Sequence, residues 1–321
     1  MQTASWDEIE QDLKLGVFLI TVGAQSLVGD RSEVAASFGK AALGVAFDTK
    51  QPAISQADEL EDLLPFNVSG THFWQVSKMC FDFVHDRTPL DKLDVGDFQA
   101  DTLNWMTYFR SAVPRDAYGT SLGNYSDRFH ERHDRGDEFP VPHLHLAAVA
   151  KANLVEFLQA FPGELDHGSG FAPFEIAALA GMTIASVRNF VGPGGNKPIR
   201  SMPKDSWGTV YGHPLDTLDW LAGRRKFDAG PLSKDWLYEA ADRVDTPERV
   251  GAMLGIYAWI NRITTETLAE RSGLPVEVAR NWTRGELGFP EDAAALADAA
   301  GIDPDFYCEI VARCGDTPRL R

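Results

Sequence analysis

Apolar and polar positions alternate along most of this chain with the 3.6-residue period of helices that bury one face. Periodic stretches at 32–47, 57–64, 72–86, 97–112 and 144–161 predict helices. In "HFWQVSKMCFDFV" the stripe Phe73, Val76, Cys80 and Val84 predicts a core-facing side. "SWDE" at 5–8 has the Ser-x-x-Glu form of a capping box, which satisfies two free N–H groups at a helix start. Residues 15–24, "LGVFLITVGA", suit either a buried helix turn or a short strand. Residues 113–142 and 162–173 are rich in Gly, Pro and charge, and predict a loop and a linker. A weaker break falls at 227–235.

Two stretches in the second half share one pattern. "IAALAGMTIASVRNFV", residues 176–191, places Gly181 between two short apolar-faced segments. A glycine there supplies the positive φ of a tight helix-to-helix turn, and Ala177 lets the helices approach closely. Ile176, Ala180, Val187 and Phe190 form the expected inner face, and Thr183 caps the second helix. Ala185, Ser186, Arg188 and Asn189 are left outward. "LAERSGLPVEVARNW" repeats the arrangement 92 residues later around Gly273. Ala269 stands where Ala177 does, Arg280–Asn281 where Arg188–Asn189 do, and Trp282 in place of Phe190.

The flanks differ. After the first copy, residues 198–202 and 208–212 predict a two-stranded wing with a Pro-bearing turn. "HPLDTLDWLAGRRKF" then predicts a helix that ends in Arg224, Arg225 and Lys226. This order resembles the winged helix-turn-helix domains of the MerR and excisionase families over residues 172–227. The resemblance implies a recognition helix carrying Thr183, Ser186, Arg188 and Asn189, and a wing carrying Lys197, Arg200 and Lys204. Arg224, Arg225 and Lys226 would add contacts to the DNA backbone. Around the second copy, "PERVGAMLGIYAWINR" predicts a preceding helix and "FPEDAAALADAAGIDPDFYCEIVAR" two following ones, with Asp303-Pro304 opening the last. Residues 247–314 resemble the lambda-repressor-like (Cro/XRE) domain, which implies Val276, Arg280 and Arg284 as DNA contacts. Glu277 departs from that family's pattern, because a carboxylate there repels phosphate.

Charge sharpens this picture. The 321-residue chain has a formal net charge of −17, yet residues 171–227 carry 7 Lys and Arg against 4 Asp and Glu. The one net-basic stretch therefore holds the first copy, as a polyanion-facing surface would. The acidic N-terminal half suits dimerisation or contact with another protein, and its repulsion lowers general attraction to phosphate.

The expected fold is mostly α: a helical domain at 1–165, a winged helix-turn-helix domain at 171–230 and a repressor-like domain at 235–321. The expected function is that of a non-enzymatic, sequence-specific transcription regulator without cofactors. Its partners would be double-stranded DNA, a second copy of the chain and a protein met by the acidic domain. Three cysteines, Cys80, Cys308 and Cys314, form no disulfide framework, and no stretch reads as a membrane span or secretion signal. A cytoplasmic location follows. Two other classes stay open. One is a protein-interaction module of antitoxin or adaptor type. The other is a metal-dependent enzyme using His130, His133, His143 and His145 with Glu131, Asp134 and Asp137 nearby, although their spacing matches no zinc signature.

Overall fold

The computed structural model describes residues 3–14, 16–17, 68–96, 102, 140–161, 170–193, 197–204, 206 and 208–315. The expected helices at 32–47 and 57–64, most of 15–24 and 97–112, and the stretches 113–139 and 162–169 lie outside them. The described chain is mostly helical, with two very short strands. None of its helices is long and apolar enough to cross a membrane. It divides into two compact units: residues 2–85 with 96–149, and residues 86–95 with 150–321.

In the N-terminal unit, residues 6–14 and 16–17 are helical, and Ser5 and Glu8 form the expected capping box. Helix α1, His72–His85, is capped by Thr71, whose Oγ1 accepts from the Trp74 N–H at 3.1 Å. Its buried stripe is Phe73, Ser77, Cys80 and Val84. Val76, expected inside, is only half-buried, and Ser77 takes the place. The reason is a polar pair: the buried Ser77 Oγ lies 3.0 Å from the Nε2 of buried His145. Burial pushes the His145 imidazole down to about 4, so it stays neutral.

Helix α2, Pro140–Ala160, contributes residues to both units. It starts four residues before the expected 144, through two prolines assigned to the loop. Prolines suit a first turn, where a missing N–H breaks no helical bond. Asp12 accepts from the Val141 N–H at 3.0 Å in their place.

Besides a short 3-10 turn at Leu90–Lys92, the second unit holds α3 Pro173–Ala180, α4 Ile184–Arg188, β1 Val191–Gly192, β2 Ile199–Arg200, α5 Pro214–Ala222, α6 Lys234–Ala241, α7 Pro247–Ile260, α8 Thr265–Ser272, α9 Val276–Thr283, α10 Pro290–Ala300 and α11 Pro304–Gly315. Its centre is α7, buried continuously from Val250 to Ile260 and packed against α5, α9 and α11. Such all-round burial explains why α7 lacks a polar stripe. Residues 171–173, expected to close the linker, are structural instead. Phe171 is buried and exchanges backbone bonds with Gly212, and Pro173 opens α3.

Candidate nucleic-acid interface

The first helix pair, α3 and α4, turns at Gly181, whose φ of 61° is left-handed. A side chain would be strained by that φ and would meet the Lys226 stem, with a Cβ 2.6 Å from its Cδ. Ile176, Ala177, Ala180 and Val187 are buried between the helices. Thr183 caps α4 as expected, its Oγ1 accepting from the Ser186 N–H at 3.2 Å and lying 2.8 Å from the Ser186 Oγ. Both hydroxyls are thereby committed to the cap. Helix α4 ends at Arg188, so Asn189 and Phe190 leave the helix. Phe190 is half-buried and rests on Trp220, centroids 5.1 Å apart. Arg188 and Asn189 are exposed.

The expected wing is reduced. Residues 208–210 form no strand, and the 208–212 strand survives only as Gly212, which bridges Ser201 on one side and Phe171 on the other. Gly208, at φ 79°, interrupts the extended backbone. The sheet partner of β2 is instead β1, in parallel register with Val191 opposite Ile199. Gly212 admits no side chain: a Cβ would stand 2.8 Å from Ile199 and from Thr217.

The basic residues assigned to this domain separate into two groups. Arg200 is engaged, its Nε 2.7 Å and Nη2 3.2 Å from the two Asp216 oxygens. Lys197 Nζ donates to the Asn189 carbonyl. Arg224 lies past the end of α5 with its guanidinium 4.1 Å from the Trp220 centroid, a cation–π contact. In contrast, Arg188, Lys204 and Arg225 are exposed with no ion-pair partner among the described residues, and Lys226 presents its ammonium from a stem laid over Gly181.

The second pair, α8 and α9, repeats the turn at Gly273, φ 71°. Ala269 and Trp282 are buried as expected, and so is Ala279. Here Thr264 caps α8, accepting from the Thr267 N–H at 3.1 Å. The preceding α7 and the following α10 and α11 are present, and Asp303 caps α11 by accepting from the N–H groups of Asp305 and Phe306 at 3.0 and 3.2 Å. Helix α7 meets the turn at Arg284, Gly285 and Glu286 backbone to backbone, and a Cβ on Gly251 would sit 2.2 Å from the Trp282 carbonyl oxygen. Arg280 is held by its neighbours: Nη1 is 2.6 Å from Glu277 Oε1 and Nη2 is 3.7 Å from Glu266 Oε1. Val276 is half-buried, and Arg284 is exposed without an ion-pair partner among the described residues.

The segments that follow the first pair, 197–200 and 213–224, share one groove of about 940 Å³ with the second pair. Lys197, Arg200, Arg224, Arg280 and Arg284 all line it, and so do Asp216, Asp219, Glu248, Glu266 and Glu286. Five of the thirteen expected DNA contacts thus converge, but opposite an equal number of carboxylates. A polyanion gains little net attraction there.

Asp219 is the residue that sequence reasoning missed. Its Oδ1 accepts from the Thr265 N–H at 3.3 Å and the Thr265 Oγ1 at 2.8 Å, tying α5 to the start of α8. Burial raises its carboxyl above the ordinary carboxylate range, and the Thr265 bonds oppose that only in part. The signal was an Asp flanked in sequence by the core residues Leu218 and Trp220. A second buried carboxyl, Glu175, accepts from the Ala172 N–H at 2.6 Å and from Asn153. Burial pushes it up to about 7, against the pull of the Ala172 bond.

Of the histidine cluster, His130, His133, Glu131, Asp134 and Asp137 lie outside the described residues. His143 and His145 stand on α2, and no group of three or more metal-ligating side chains occurs among the described residues. No protein-family model, curated protein or solved structure matches this chain.

Proposed function

We propose that the protein is a transcription regulator that binds duplex DNA through its first helix pair. The observation that carries this reading is Arg188: an exposed cation with no ion-pair partner among the described residues, at the end of a helix posed by Gly181, the Thr183 cap and buried Val187. Lys204, Arg225 and Lys226, exposed in the same net-basic stretch, supply the sequence-independent phosphate attraction. Arg188 and Asn189 supply the groups that read base edges in the major groove. Regulators of this kind read paired half-sites, so a homodimer belongs to the proposal, as do a cytoplasmic location and a protein partner for the acidic N-terminal unit.

A second reading concerns the second pair alone, and only while its arginine is occupied. Its arginine is occupied by Glu277 and Glu266, and its groove is balanced in charge. An adaptor or antitoxin-type protein contact suits such a surface, since interfaces tolerate paired charge that a phosphate backbone does not.

The test is a mobility shift of the full chain against genomic fragments, including the protein's own upstream region, with Arg188→Ala beside it. Selective retardation of some fragments is expected, weakened about tenfold or more in Arg188→Ala. Equal binding by the variant, or no selective binding at all, overturns the reading.

A further inference from the structure

We infer that the second helix pair is a masked DNA-backbone site, with Glu266 and Glu277 holding Arg280 away from phosphate. The inference rests on the DNA-binding reading above and adds to it a second contact that carboxylates of the same domain suppress.

The geometry is asymmetric in a way that the repeated motif does not require. Both pairs place an arginine seven residues after the turn glycine, Arg188 after Gly181 and Arg280 after Gly273. Arg188 is exposed with no ion-pair partner among the described residues. The Arg280 side chain is 32% exposed and meets one carboxylate from its own helix and another from α8. Glu277 sits one turn before Arg280, where a helix brings positions i and i+3 together. Glu266 reaches Arg280 from the first turn of α8. Asp219 anchors that first turn through Thr265, so Glu266 is presented to Arg280 from a fixed helix start.

The restraint is weak by construction. Glu266 and Glu277 are 65% and 76% exposed, and ion pairs in contact with water are easily exchanged. A phosphate diester is a competitor of the same charge. It gains Arg280 only by displacing two carboxylates that then remain beside it and repel it. Arg284, exposed one turn further on and lining the same groove, has no such partner among the described residues and would extend the contact once Arg280 is released. Neutralising the two glutamates therefore adds one arginine–phosphate contact without altering the backbone of either pair.

The experiment measures duplex binding by the full chain as a function of salt for the wild type, Glu266→Gln/Glu277→Gln, the same double variant carrying Arg280→Ala, and a charge-matched control, Glu291→Gln/Glu309→Gln. The probes are a fragment retarded in the first assay and a random duplex of equal length. The double variant is expected to bind both about fivefold tighter at low salt, and the slope of log K against log salt steepens by about 1. Arg280→Ala is expected to remove the gain from the double variant but to change the wild type little. Unchanged affinity and slope in the double variant overturn the inference, and so does an equal gain in the control. Loss of wild-type binding in Arg188→Ala, whatever the glutamate variants do, keeps the two proposals distinguishable. If the wild type binds no duplex selectively, both fall together.

Discussion

The two helix pairs share a turn but differ in what surrounds it. At Gly181 the neighbour is the flexible stem of Lys226. At the corresponding Gly273 no described atom would meet a Cβ within 4 Å, and the close approach around the second pair lies instead at Gly251 and Gly285, whose neighbours are backbone atoms of the facing segment. Among the described residues the first pair's arginine has no ion-pair partner, and the second pair's has two. A repeated turn thus fixes how two helices cross, while the charges that decide whether a polyanion can approach are set by residues outside the repeat.

The largest effect that would test this contrast is on stability. Gly251→Ala places a Cβ 2.2 Å from the Trp282 carbonyl oxygen and 2.5 Å from the Gly285 nitrogen. A loss of about 4 kcal/mol or more is expected, since backbone cannot swing aside as a side chain can. Gly181→Ala meets only Lys226 methylenes and its own positive φ, and should cost about 1–2 kcal/mol. Urea unfolding of both variants measures the order, and the reverse order would break the comparison.

Next comes pH. The Glu175 carboxyl rises from 4.5 to about 7 on folding, so the native state holds its proton more tightly than the unfolded chain does. Stability should therefore fall as pH rises from about 4.5 to about 7 and level off above, by about 3 kcal/mol at most. Melting curves across that window, repeated for Glu175→Gln, should show the slope flatten in the variant. An unchanged slope would mean that the titration lies elsewhere.

A smaller effect is expected where α5 meets α8. Asp219→Ala leaves the Thr265 N–H and hydroxyl without their acceptor and should cost about 1–3 kcal/mol in denaturant unfolding. Asp219→Asn keeps an acceptor and should cost less. Equal losses in the two variants would show that the charge, not the hydrogen bond, holds the start of α8. The smallest effect belongs to Arg280→Ala in the wild type, which should change duplex affinity by less than about twofold, against about tenfold for Arg188→Ala. Similar losses from both would erase the distinction between the pairs.

Much of the helical plan was legible in the sequence because local rules govern it. Gly181 and Gly273 announced their turns through the need for positive φ, and Thr183 and Asp303 announced their caps. The Pro140 start was misplaced because proline reads as a loop signal unless the acceptor that replaces it, here Asp12, is known. The wing was overdrawn because alternation alone cannot reveal that Val191 pairs with Ile199. Among the site residues, identity was readable but availability was not. Arg200 and Arg280 are as basic in sequence as Arg188, and only folding brings Asp216 and Glu266 to them. The Glu277–Arg280 spacing was visible, and Asp219 could be seen as an acid among apolar neighbours, but its partner lies 46 residues away.

The approach of α7 to the turn after α9 bears on how the domain opens. Glycine offers no rotamer to readjust, so the Gly251 seam has no partly loosened form in which side chains repack to fill a gap. Around the first pair, Lys226 can swing out while the helices stay in place. Amide protons of residues 252–256 and 282–286 should then exchange with solvent together, at one rate set by a single cooperative event. Those around Gly181 should exchange earlier and independently.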